Sequence, residues 1–259
     1  TLKVERSYGP SKFVQYVSLT DGGDDDRIDV RNTVDWSSRD VLLKAEFPCA
    51  VANAKAAYDL GLGFIERGNN TETAYEVPAQ KWVDLTDADG SYGVTILNDC
   101  KYGFSVHENN IDITLMRAPI CPDPTGDIGY NEFTYSLVPH AGTWQEAGIS
   151  ELAYALNNPP AVVYSAVGSH DGERLISVKR KGVVLDAFKK AQNDDGYILR
   201  VFEAYSSRGK CEIDFCKAIE SVTECNLMEK DSEALSHCEK SFVFDIKPNE
   251  VKTFRIKFK

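Results

Sequence analysis

A chain of 259 residues with 29 Lys and Arg against 40 Asp and Glu carries a formal charge of −11, which excludes a polybasic nucleic-acid binder. At 42% hydrophobic and 27% charged residues it has the composition of a folded protein, and its length suits one large β domain or a domain with a smaller companion. No apolar run approaches the roughly 20 residues of a membrane span, and the first residues lack a charged-then-apolar signal pattern.

The opening Thr1-Leu2-Lys3-Val4-Glu5 already alternates like a strand and has no initiating Met, so the chain is expected to be a piece of something longer. Period-two runs rich in β-branched and aromatic residues then recur at 14–19, 28–34, 41–47, 92–97, 111–115 and 133–137, and again at 197–202, 242–246 and 253–258. Asp21-Gly22-Gly23, Arg67-Gly68-Asn69-Asn70, Asp89-Gly90, Asp171-Gly172 and Asp194-Asp195-Gly196 supply the residues that tight reversals need. The acidic run Asp24-Asp25-Asp26 reads as a solvated loop tip, because it lacks the spaced oxygens and closing Glu of a calcium loop.

One helix interrupts the pattern. Ile149, Leu152, Ala153 and Leu156 share a face between Gly148 and the stop at Asn158-Pro159-Pro160. A boundary follows within 158–173, giving an expected division into 1–172 and 173–259. The stretch from Glu224 to Cys238 fits a second helix or a polar loop with strands. The fold class expected is all-β.

Seven cysteines, an odd number without a CxxC pair, read as thiols in a cytoplasm-like compartment. The four histidines, His107, His140, His170 and His237, are isolated, so no metal site is expected within this chain. A GxSxG elbow, a P-loop and a GxGxxG after a strand are all absent. No carboxylate pair can be chosen for glycosidase chemistry, since the separation that matters belongs to three dimensions.

One stretch carries more. Asp89-Gly90-Ser91-Tyr92-Gly93-Val94 leads into Asn98-Asp99-Cys100-Lys101-Tyr102-Gly103, then Leu115-Met116-Arg117-Ala118-Pro119 and Pro139-His140-Ala141-Gly142-Thr143-Trp144. The order and spacing of these pieces resemble the C-terminal β region of glycoside hydrolase family 38 α-mannosidases, in the cytosolic and bacterial branch. Leu2 to Gly9, Ile28 to Trp36, Ile65 to Asn70, Val183 to Lys190 and Gly196 to Glu203 extend the resemblance over nearly the whole chain. Cys100 stands where the family often has Ser, and Tyr130 or Asn131 where it often has His.

The resemblance implies a galactose-mutarotase-like supersandwich lacking its opening strands, followed by a small terminal sandwich. Family members are retaining, zinc-dependent exo-acting enzymes whose nucleophile, acid/base and zinc ligands lie in an N-terminal barrel. This chain would then be a cytoplasmic, non-catalytic module, inactive alone, whose partners are that barrel, the mannoside substrate and further copies in a homo-oligomer. A free-standing carbohydrate-binding β-sandwich is the alternative, and a purely structural scaffold the third reading.

By the same resemblance, Arg117 is the residue expected to reach the pocket, where its fork would hold a carboxylate or a hydroxyl. The alternative for it is a surface ion pair. Asn98, Asp99, Lys101 and Tyr102 form a polar turn after an apolar strand, where binding residues often sit, or else they cap their own backbone. His140 lines the pocket or is a satisfied structural imidazole. Trp36, Trp82 and Trp144 are assigned to packing.

Overall fold

A computed structural model describes residues 1–19, 27–69, 76–162, 164, 172, 174–192 and 196–259. The acidic run Asp24 to Asp26, Asp21-Gly22-Gly23 and His170 lie outside the described residues. The strands in chain order are β1 (Leu2–Tyr8), β2 (Ser11–Leu19), β3 (Ile28–Trp36), β4 (Leu43–Pro48), β5 (Lys55–Asp59), β6 (Phe64–Gly68) and β7 (Val77–Pro78). Then come β8 (Trp82–Thr86), β9 (Tyr92–Asn98), β10 (Gly103–His107), β11 (Asn110–Met116) and β12 (Gly129–Ala141), followed by the helix α1 (Ile149–Asn157). The last eight are β13 (Ile176–Val178), β14 (Val183–Lys190), β15 (Tyr197–Glu203), β16 (Gly209–Phe215), β17 (Ile219–Cys225), β18 (Asp231–Leu235), β19 (Ser241–Ile246) and β20 (Val251–Phe258). The protein is all-β with one helix among the described residues, as the period-two pattern requires.

Two compact units form, Thr1–Gly61 with Ile65–Pro159, and Leu62–Phe64 with Pro160–Lys259. In the first, an eight-stranded sheet of order β1-β2-β3-β12-β9-β8-β5-β6 faces a four-stranded sheet of order β4-β11-β10-β7. Val34, Trp36, Val83, Leu85, Ile96 and Phe133 of the large sheet join Phe104, Ile111 and Ile113 of the small one in a single core. Alternation explains the choice: β3 buries Val30, Asn32, Val34 and Trp36 and leaves Arg31 and Asp35 in water.

Strands β8 and β9 are buried on both faces, because α1 lies against them. Val83, Leu85, Val94 and Ile96 point into the core, so Trp82, Asp84, Thr95 and Leu97 take the opposite face. There Trp82 packs on Trp144 with ring centroids 4.6 Å apart, and Ile149 and Ala153 of α1 are fully enclosed. The helix begins at Gly148, whose φ of 70° is the left-handed conformation glycine tolerates, and ends before Pro159 as expected.

The second unit sets a three-stranded sheet, β13-β16-β19, with a five-stranded sheet, β14-β15-β20-β17-β18, around Leu199, Val201, Ile213, Phe215, Phe242, Phe244 and Phe254. Phe254 makes ring contacts with Phe242 and Phe244 at 5.0 and 4.7 Å. The ambiguous stretch from Glu224 onward resolves into a hairpin: β17 pairs with β18 through Val222 opposite Leu235 and Thr223 opposite Ala234. Asn226 closes its turn by accepting the N–H groups of Met228 and Lys230 on its side-chain oxygen.

Candidate functional site

The polar turn after β9 is built by its own side chains. Asn98 is 1% exposed. Its amide donates to the Gln80 carbonyl at 2.8 Å, its side-chain oxygen accepts the Lys101 N–H at 2.6 Å, and its carbonyl accepts from the Asn157 amide at the end of α1 at 3.0 Å. Asp99 exchanges backbone with Thr134 of β12, its carboxylate accepting the Thr134 N–H at 2.9 Å. The Tyr102 carbonyl accepts the Ala79 N–H at 3.1 Å while its ring is half exposed. Burial, with help from the adjacent Asp99 carboxylate, pushes the Cys100 thiol up to about 12, so it is no nucleophile at neutral pH.

Lys101 connects this turn to the loop after β11. Its ammonium sits 4.5 Å from the centroid of the Phe133 ring, and its charge acts on Asp127. The Asp127 carboxylate accepts the N–H of Arg117 at 2.8 Å and of Ala118 at 2.9 Å. Partial burial pushes that carboxyl upward, but the two backbone donors and Lys101 outweigh it and hold it below the usual carboxylate range. Ala118 has a φ of 44°, a conformation costly for a residue with a Cβ, and its carbonyl accepts the Asp40 N–H at 2.8 Å. The loop is therefore held from both sides.

Arg117 projects from this pinned backbone. It is exposed, and among the described residues its guanidinium makes no hydrogen bond or ion pair, only a longer-range attraction to Glu76. Asn98, Asp99, Lys101 and Tyr102 thus share one end of the first unit with Arg117, and there the Arg117 guanidinium, like the Lys101 ammonium and the Tyr102 hydroxyl, has hydrogen-bonding capacity that the described residues leave unspent.

His140 stands elsewhere. On β12 it pairs with Gly93, whereas Tyr135 pairs with Asn98, a separation of five residues or roughly 17 Å along the sheet. Its Nε2 lies 2.8 Å from Asp84 Oδ2 and its Nδ1 3.2 Å from the Gly142 carbonyl. Asp84 also accepts from Thr95 at 2.7 Å and from Thr86 at 2.6 Å. Asp84 and Thr86 form part of the wall of a cleft of about 410 Å³, with Lys55, Glu66, Asp87 and Trp144.

Asp84 and Asp127 were not picked out by sequence reasoning. Asp84 had a signal, a carboxylate inside the otherwise apolar Trp82-Val83-Asp84-Leu85, which demands buried partners. Asp127 had none, since an Asp in a Gly-rich loop is ordinary. Among the described residues no three His, Cys, Asp or Glu side chains lie together as a metal ion would require, so they offer no cage for the zinc that the resemblance implies.

Residues 1–125 match the model described as glycosyl hydrolases family 38 C-terminal domain, and residues 182–254 match the family 38 C-terminal beta sandwich domain. Alpha-mannosidase 2C1 of Mus musculus is 36% identical over 206 residues, 76% of this chain and 20% of the mouse protein. Alpha-mannosidase G of Dictyostelium discoideum is 32% identical over 243 residues, 88% of this chain and 22% of that one. The crystal structure of an alpha-mannosidase from Enterococcus faecalis V583 superposes with a TM-score of 0.77 at 17% identity, covering 95% of this chain and 29% of that chain, a likeness of fold. This chain spans about a fifth of the length of the curated relatives it matches. Two models of one family's C-terminal region, in order along the chain and over most of its length, place it: the chain belongs to the C-terminal region of glycosyl hydrolase family 38, the α-mannosidase family.

Proposed function

We propose that the chain is the non-catalytic β module of a retaining, zinc-dependent exo-α-mannosidase, and that Arg117 helps to complete a mannoside pocket built by the catalytic barrel of the same polypeptide. The observation that carries this is the uncommitted guanidinium of Arg117 on a backbone pinned by Asp127. Holding the backbone beneath a long cation in place lowers part of the entropic cost of using it, and a planar fork suits a carboxylate or a pair of hydroxyls. The division into 1–172 and 173–259, a cytoplasmic location and assembly into homo-oligomers belong to the same reading, and the zinc belongs to the remainder of the polypeptide.

A second feature supports a module that packs against more protein. Among the described residues β4 has a single neighbour, β11, and a groove of about 570 Å³ opens beside it between Leu43, Ala45 and Phe47 and the residues Tyr8, Phe13 and Trp36. An unpaired edge beside a groove lined by both apolar side chains and the polar Arg6, Gln15, Lys44 and Glu46 is a surface that soluble proteins normally cover.

The test is made in the longer polypeptide. Arg117→Ala is expected to lower kcat/KM on an aryl α-mannoside by about 100-fold with an unchanged melting temperature, and Arg117→Lys to recover part of the loss. Unchanged turnover in Arg117→Ala would refute pocket completion. The 259-residue chain alone is expected to release no mannose. Calorimetric binding of mannose to the isolated chain would favour the free-standing carbohydrate-binding sandwich, for which the cleft beside Trp144 is the site available.

A further inference from the structure

We propose that Asp84 and His140 share one proton, and that this proton latches the turn 142–148 against the outer face of β8 and β9. The argument is a count of donors. The Gly142 carbonyl accepts only, and an ionised Asp84 carboxylate accepts only, yet each faces one nitrogen of the same imidazole, at 3.2 and 2.8 Å. A neutral imidazole carries one N–H and can serve one of them. Turning the ring over does not help, because it would set carbon atoms where each acceptor needs a hydrogen.

The neighbouring hydroxyls supply no substitute. Thr86 is committed to Asp84 Oδ1 and Thr95 to Asp84 Oδ2. The side chains of His140 and Asp84 are 5% and 2% exposed, so their mutual contact is closed to water. The arrangement therefore holds one proton more than a carboxylate plus a neutral ring, in the Nε2 to Oδ2 contact. Imidazolium with carboxylate and imidazole with carboxylic acid are two descriptions of that same proton count.

Gly93 is an independent sign that the contact is built. Its φ is not in the left-handed region, so the backbone does not require glycine there. A Cβ on it would instead lie 2.4 Å from His140 Cε1, 2.7 Å from Nε2 and 2.6 Å from Thr86 Oγ1. Glycine makes room for the ring to reach Asp84.

Other titratable groups stand around the pair. From β8 comes Asp84 itself, and β9 presents Gly93 and Thr95, neither titratable. The turn carries Glu146, whose carboxylate accepts the Thr143 N–H, and α1 carries the exposed Glu151. Around the cleft stand Glu66, Asp87 and Asp89 against Lys55. With the proton in place the Gly142 carbonyl is held and Trp144 stays against Trp82 as a wall of the cleft. Removing it at alkaline pH leaves one acceptor unserved and frees the turn.

Nuclear magnetic resonance of the ¹⁵N-labelled chain tests this without reference to mannosidase activity, so the proposal stands or falls apart from the function above. At neutral pH both ring nitrogens of His140 are expected to show attached protons, with a bridging proton far downfield. As the pH is raised until that signal is lost, amide protection across residues 142–148 should fall about tenfold, the scale of one charge-assisted hydrogen bond. Asp84→Asn, whose amide can donate to a neutral Nε2, should abolish the pH dependence while His140 keeps a proton on Nδ1. A singly protonated ring together with an ionised Asp84 carboxylate in the wild-type chain at neutral pH would overturn the proposal even if Asp84→Asn fails to fold. So would unchanged protection of 142–148 through loss of the proton.

Discussion

At one end of the β9 and β12 pair, Asn98 and Asp127 spend their hydrogen bonds on backbone and leave Arg117 outside. At the other, Asp84 and His140 close on each other beneath the turn that leads to α1. Both regions hold carboxylates and a cationic or potentially cationic side chain at fixed positions. The difference is where the donors end up. A buried group must find its partner inside the protein, whereas a group on a pinned surface loop can remain free for a ligand. Polarity alone therefore does not mark a binding residue.

The contrast predicts a ranking of damage. Removing one member of the buried pair, as in Asp84→Ala, leaves His140 and two threonines facing a cavity and should cost about 3–5 kcal/mol in denaturant unfolding of the chain. A loss below about 1 kcal/mol would mean that the pair is not held as tightly as its distances say. Gly93→Ala pushes a methyl group into the same ring and should cost about 1–3 kcal/mol, with the resonances of His140 displaced.

Asp127→Ala removes the acceptor of two backbone donors beside the strained Ala118 and should loosen residues 117–127 by about 2 kcal/mol, read as faster amide exchange there. The sign of its pH dependence follows from the lowered carboxyl of Asp127. Its contribution is present above the ordinary Asp value of about 3.9 and is lost as the pH falls through the lower folded value, so acid should open this loop. That is opposite to the turn 142–148, which should open on the alkaline side. Arg117→Ala comes last, with a stability change within about 0.5 kcal/mol in this chain, because the guanidinium supports nothing in the fold. A larger loss would move Arg117 into the same class as Asp84.

Much of the architecture was legible from periodicity. The runs at 28–34, 92–97, 133–137 and 242–246 became β3, β9, β12 and β19, and the face made by Ile149, Leu152, Ala153 and Leu156 became α1. For β5, β8 and the hairpin of β17 and β18, what periodicity missed has a physical cause. Strands β5 and β8 are buried on both faces, so Ala56-Ala57-Tyr58 and Trp82-Val83-Asp84-Leu85 show no alternation to read. The hairpin of β17 and β18 has a polar outer strand, whose pattern a loop or a helix would also fit.

The site was legible only as a set of candidates. Sequence determined that Asn98 to Tyr102 would be a polar turn after an apolar strand and that Arg117 would close another strand, because short-range order depends on neighbours along the chain. Only tertiary structure decided that Asp127 would pin Arg117, that Lys101 would join the two loops, and that His140 would meet an aspartate 56 residues away. Sheet pairing brings such residues together through backbone register, and register is a property of strands already assembled.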